Sequence, residues 1–133
     1  MDVNLSARAA ALWVGLTLFV LLVLSVLVVR QRRKHGVVLG DGGVPELTQA
    51  IRAFGNASEY VPAGMAALAT MAVVGVLPAA IHITGALLFV GRLLHGFGLS
   101  RSGGTSAPRA LGVVVTWVAF VFAGVALVFY SIV

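Results

Sequence analysis

Apolar residues in this chain do not alternate with polar ones; they gather into long blocks parted by short polar stretches. Uncharged runs cover Ala9–Val29, Val61–Leu77 and Ala110–Val133, and a less pure run covers Pro78–Leu99. A helix needs about 20 such residues to cross roughly 30 Å of hydrocarbon, and the first and last runs meet that length outright. The second run is short alone, but Pro45 behind Gly42-Gly43 has the chemistry of a helix start, because proline is preset for the first helical position and a glycine pair turns the chain. The pattern therefore predicts four helices, approximately 7–34, 45–76, 78–99 and 108–132, in a single membrane domain spanning 1–133. A helix over 45–76 would be about 48 Å long. Its polar first half would then project past the lipid core or line a cleft there.

Composition turns this pattern into a solvent argument. Of 133 residues, 60% are hydrophobic and 10% charged. A soluble domain of this size buries only about two thirds of its chain area, so lipid must solvate much of the surface, and the fold class is all-α integral membrane. The run Ala9–Val29 ends in cations instead of a small-residue cleavage site, which predicts a retained helix and not a removed leader.

Charge then orients the chain. Arg30, Arg32, Arg33 and Lys34 follow the first helix, and Arg101 and Arg109 flank the link before the fourth; the link Gly75-Val76-Leu77-Pro78 carries no charge. The positive-inside rule puts both basic loops in the cytoplasm and the two termini on the non-cytoplasmic side, as in a multi-pass inner (plasma) membrane protein. The formal net charge of +5 is read as topology and headgroup contact. No basic helix with interleaved aromatics accompanies it, so no nucleic-acid partner is expected.

Candidate chemistry is concentrated at the start of helix two. Glu46, Gln49, Arg52, Asn56 and Glu59 recur at spacings of 3, 3, 4 and 3, a single stripe on one helix face. Ionisable groups at the membrane boundary are costly and face a bundle interior or a wet cavity. The stripe is read in two ways: an internal Arg52–Glu59 ion pair that only fixes packing, or a pocket presenting a cation, an amide and an anion to a polar ligand. Pro62 frees the carbonyl of Ser58 next to Glu59. Arg92 and His95, one turn apart in helix three, can face the same cleft, although Arg92 is also able to snorkel to phosphate. His82 is read as an interfacial or packed histidine. The chain has no cysteine, and no His and carboxylate set has ligand spacing, so no metal is expected.

The segment Arg52-Ala53-Phe54-Gly55-Asn56-Ala57-Ser58-Glu59-Tyr60-Val61-Pro62 resembles the signature of the MAPEG family, the membrane-associated proteins in eicosanoid and glutathione metabolism. Gly40-Asp41-Gly42-Gly43 before Glu46-Leu47, and Gly91-Arg92-Leu93-Leu94-His95-Gly96-Phe97-Gly98, resemble its small bacterial members, so the resemblance covers essentially the full chain. It implies a left-handed four-helix bundle, homotrimeric, with glutathione as co-substrate bound between subunits on the cytoplasmic side. By position, Arg52, Asn56, Glu59 and Tyr60 match motif residues lining that site. Arg30 matches a basic residue that reaches the peptide's carboxylates, and Arg92 and His95 stand at the helix-three contacts. Such enzymes need a cation beside the glutathione thiol to hold it as the reactive thiolate. Arg101 and Arg109 are the candidates for that catalytic role, while His95 and Leu99 stand where relatives carry tyrosines and Phe54 where many carry a polar side chain.

The resemblance implies a glutathione-dependent transferase or peroxidase acting on a lipophilic small molecule that arrives from the lipid bilayer. A non-enzymatic lipid or thiol binder of the same fold is the second reading. A small multidrug exporter is disfavoured, because its coupling carboxylate would stand beside the competing cation Arg52.

Overall fold

The computed structural model describes residues 3–132, as four α-helices in the order α1 Val3–His35, α2 Pro45–Val73, α3 Pro78–Arg101 and α4 Ala107–Ile132, with no strand among them. Three of these, α1, α3 and α4, are long and apolar enough to cross a membrane. The sequence pattern predicted four spans by that measure. The difference lies in α2, whose first half carries Glu46, Gln49, Arg52, Asn56 and Glu59. Its 29 residues are nevertheless continuous through Pro62, about 43 Å at 1.5 Å per residue.

Glycine sets the helix ends. Gly36 and Gly75 both take positive φ, 67° and 77°, which only glycine adopts without a Cβ penalty. At Gly75 the amide of Val76 donates to Met71 O at 2.9 Å and that of Gly75 to Ala72 O at 3.3 Å, the paired bonds of a Schellman stop. This closes α2 at Val73, three residues short of the predicted end. At Gly36 the Val37 amide donates to Arg32 O at 3.1 Å, ending α1 in the same way. The α1–α2 loop is then braced by side chains. The Gly43 amide donates to Asp41 Oδ1 at 3.1 Å and the Thr48 hydroxyl to Asp41 Oδ2 at 2.9 Å, and these bonds, the Gly43 one above all, hold the Asp41 carboxyl below its ordinary pKa of 3.8.

The four helices run up and down. At one end the buried Ser6 hydroxyl donates to Val76 O at 2.8 Å, tying the start of α1 to the α2–α3 turn. The other end gathers the close of α1 and α3 and the starts of α2 and α4, and with them the basic residues Arg30, Arg32, Arg33, Lys34, Arg101 and Arg109. Helices α2 and α3 form the middle; α1 packs on both, α4 packs on α3 and α2, and α1 and α4 make no contact with each other among the described residues. One apolar cluster, including Leu68, Met71, Ile81 and Leu88, fills the end away from the cations, and a second, including Val20, Leu24, Ala53, Val61 and Leu99, fills the basic end. The outer faces of α1 and α4 expose large apolar groups such as Leu18, Phe19, Leu22, Val121, Val125 and Phe129. Contiguous apolar surface on that scale belongs against lipid or another chain.

Candidate functional site

Helix α2 sorts its residues by face. Leu47, Ala50, Ala53, Ala57, Val61, Gly64 and Leu68 are buried, whereas Arg52 and Glu59 are exposed and Gln49, Asn56 and Tyr60 are half-buried. At about 100° per residue, Gln49, Arg52, Asn56 and Glu59 fall within a wedge roughly 80° wide. These four share one face; Glu46, the fifth member of the predicted stripe, lies about 60° beyond Gln49 and widens it. At its edge Asn56 meets α3, and Tyr60 meets α3 and α4.

The centre of the site is Arg92, which is 1% exposed. Its Nη1 donates to Asn56 Oδ1 at 2.8 Å, its Nε and Nη2 donate to Thr116 Oγ1 at 2.9 and 2.7 Å, and its Nη2 also donates to Gly112 O at 3.4 Å. The guanidinium carbon lies 4.8 Å from the centre of the Tyr60 ring, a cation–π contact, and Tyr60 in turn packs on Phe120. One side chain of α3 thus binds α2 and α4 together. Every one of these partners is electrically neutral. The fork keeps its positive charge while four of its five N–H bonds are occupied.

Small residues make this reach possible. A Cβ on Gly91 would lie 2.6 Å from Thr116 Oγ1 and 3.0 Å from Gly112 O, and one on Gly112 would lie 2.6 Å from Gly91 O. Without side chains at both positions the backbones of α3 and α4 approach closely, and Thr116 comes within bonding distance of Arg92. Thr116 and Gly112 were missed by the sequence reading, because both sit inside an uninterrupted apolar run. The available signal was their spacing of four, which puts a hydroxyl one turn from a glycine on a single face.

The other predicted residues divide. Asn56, Tyr60 and Arg92 come together, and His95, 3% exposed, is buried one turn from Arg92. Arg52 and Glu59 flank them on the outer side, with no hydrogen bond between the two among the described residues; a packing-only ion pair is not what they form. Arg101 and Arg109, considered together from the sequence, point to different places. Arg109 is half-buried in the first turn of α4, where its Nη1 donates to Gly104 O at 3.3 Å. The loop it braces passes over the start of the stripe, since a Cβ on Gly103 would lie 3.3 Å from Gln49 Nε2. Arg101 instead is exposed and stacks on Phe97 at 4.3 Å, where both line a groove between α1 and α3. Arg30 is exposed at the end of α1. His82, read as packed or interfacial, is exposed, and its Nδ1 accepts from Trp13 Nε1 at 3.0 Å.

One groove runs between α1 and α3, and an apolar trough lies on α4. Neither is lined by Arg52, Asn56 or Glu59. With Arg52 and Glu59 exposed, a single chain offers the outer part of the stripe as an open face.

The chain is 36% identical over 121 residues to the inner membrane protein YecN of Escherichia coli strain K12, and equally to that of Escherichia coli O6:H1, covering 91% of each chain. Residues 10–129 match the MAPEG family. A match across nearly the whole chain, including the Arg52–Pro62 segment, means that this protein belongs to the MAPEG family.

Proposed function

We propose that the protein is a glutathione-dependent transferase or peroxidase of the inner membrane, acting on lipophilic electrophiles. In this reading all four helices span the bilayer as a left-handed bundle, and three copies associate. The exposed face of α2 meets a neighbouring subunit, and the two close a crevice for glutathione on the cytoplasmic side. The outer face of α2 carries the small residues Ala63, Ala66 and Ala69 beyond Glu59, which favours close approach of a second helix.

The observation that carries the reading is the buried Arg92 guanidinium, held by neutral groups beneath Arg52 and Glu59 on one face. Glutathione has two carboxylates and one ammonium. It is matched by several guanidiniums and a single carboxylate, with Arg forks suited to bidentate carboxylate binding. Arg52 and Arg30 would hold the carboxylates, with the buried Arg92 adding its charge from beneath; Glu59 would meet the ammonium, and Asn56, Tyr60 and His95 the remaining contacts. Arg109 is the better thiolate partner of the two candidates, since it braces the loop that crosses the stripe. A thiol ionised beside it would attack the electrophile, the proton passing to water and the leaving group departing as an anion.

Calorimetric titration of the purified protein with glutathione tests this. Saturable binding is expected, weakened about 10- to 100-fold in Arg52→Ala or Glu59→Gln, the scale of one lost charge-assisted hydrogen bond. Absence of binding by the unaltered protein overturns the proposal. A second reading, a thiol binder without chemistry, is favoured by Leu99, a buried apolar residue where relatives place a hydroxyl. Glutathione binding with no conjugation to a chlorinated aromatic electrophile would select it.

A further inference from the structure

The groove between α1 and α3 has a volume of about 410 Å³ and is walled by Leu16, Val20 and Leu27 on one side and by Phe89, Leu93 and Phe97 on the other. Its charged members are Arg92, at the buried end of its floor, and Arg101, at its mouth beside Ser100. The walls run parallel in register. A Cβ on Gly85 would abut Trp13 and one on Gly96 would lie 3.4 Å from Leu24, the same offset of 72 residues in both cases. That offset sets Arg30 level with Ser102. Arg30 also continues the α1 wall, one turn beyond Leu27. Two guanidiniums therefore stand at the basic end of an otherwise apolar slot. Among the described residues the acidic ones, Asp41, Glu46 and Glu59, all lie outside α1 and α3. No wall charge opposes an anion.

We propose that this groove holds one acyl chain of an anionic phospholipid from the leaflet at the basic end, with the headgroup phosphate on Arg101 and Arg30. Length and charge both fit. The wall from Phe89 to Arg101 is about 18 Å long and that from Leu16 to Leu27 about 16 Å, close to the roughly 15 Å hydrocarbon depth of one leaflet. Stacking on Phe97 holds the Arg101 guanidinium at the mouth, at the level where basic side chains attract anionic headgroups. The rim is bulky, with Phe19, Leu93 and Phe97 all exposed, unlike the alanine face of α2, so a flexible chain fits it better than a second helix does. The site shares Arg30 and Arg92 with the proposed glutathione crevice, so the Arg101 variant and the two wall variants, which touch neither, separate the two readings.

Native mass spectrometry of the full chain in non-ionic detergent tests the proposal, with dioleoyl phosphatidylglycerol and dioleoyl phosphatidylcholine as probes. Their acyl chains are identical. Retention of phosphatidylglycerol over phosphatidylcholine is expected, falling about fivefold in Arg101→Gln and in Arg30→Gln. Leu93→Trp, at an exposed wall position, should block retention with both arginines still present; Phe19→Trp on the facing wall is a second route to the same block. Glycerol phosphate, which has no acyl chain, should not compete. Equal retention of both lipids overturns the proposal, and so does phosphatidylglycerol retention that both tryptophan variants leave unchanged. A change of oligomeric state in Leu93→Trp with lipid retention intact would instead assign the groove to a second copy, and likewise overturns it.

Discussion

Arg92 is a buried cation with no carboxylate beside it, and its stability rests on the quality of its neutral acceptors. Hydrogen bonds between neutral side chains in membrane proteins average only about 0.6 kcal/mol, whereas a bond to a charged donor contributes about 1.5–3 kcal/mol. Thr116 accepts two N–H groups from the fork; Thr84, equally buried, only donates to Ala80 O within its own helix. Thr116→Val is therefore expected to lower stability by about 2–3 kcal/mol and Thr84→Val by less than about 1 kcal/mol, measured by thermal unfolding in detergent. Equal losses would mean that Thr116 does not support the guanidinium. The sequence made Arg92 conspicuous, as a cation inside an apolar run. It gave no sign of Thr116, because a hydroxyl in a lipid-facing helix and one bonded to a buried arginine read identically until the partner helix is known.

At the scale of elements, the helix starts marked by Pro45 and Pro78 were legible, since both prolines stand at the first helical position. The far end of α2 was not, because the stop lies in the backbone sign of Gly75 and not in hydropathy. The α1–α2 loop makes a prediction of its own. Hydrogen bonding holds the Asp41 carboxyl below the ordinary value, so the bracing of Gly43 and Thr48 is fully present above that value and is lost as pH falls through the folded-state pKa. Amide exchange over residues 42–48, corrected for intrinsic rate, should therefore quicken below about pH 4. Asp41→Asn retains one acceptor without titrating, and should flatten that pH dependence. A loop whose protection is unchanged between pH 6 and pH 3 would rule out this role for the carboxylate.

For the whole molecule, the basic end was readable from charge placement alone, but the direction in which each cation faces was not. Arg101 and Arg109 are eight residues apart and belong to opposite sides of α3, a division made by the chain reversal at Ser102–Ser106. The polar stripe of α2 was also legible, as one face; that a single chain leaves it open was not, because spacing does not reveal what covers a face. Orientation is open to direct test, since the chain has no cysteine of its own. With Ser131→Cys, an impermeant maleimide should label intact spheroplasts. With Ser102→Cys, labelling should require permeabilised membranes. The reverse pattern would invert the topology.

The glycine seam between α3 and α4 has a bearing on assembly order. Until α4 docks, Arg92 lacks Thr116 and the Gly112 carbonyl, and α3 carries a guanidinium held only by Asn56 and Tyr60 of α2, nine residues before its last residue, about 13 Å from the basic end. An undocked α3 would have to ride toward the headgroups to hydrate that charge. Seating the third helix at its final depth and capturing the arginine are then one event, completed only when α4 has been made.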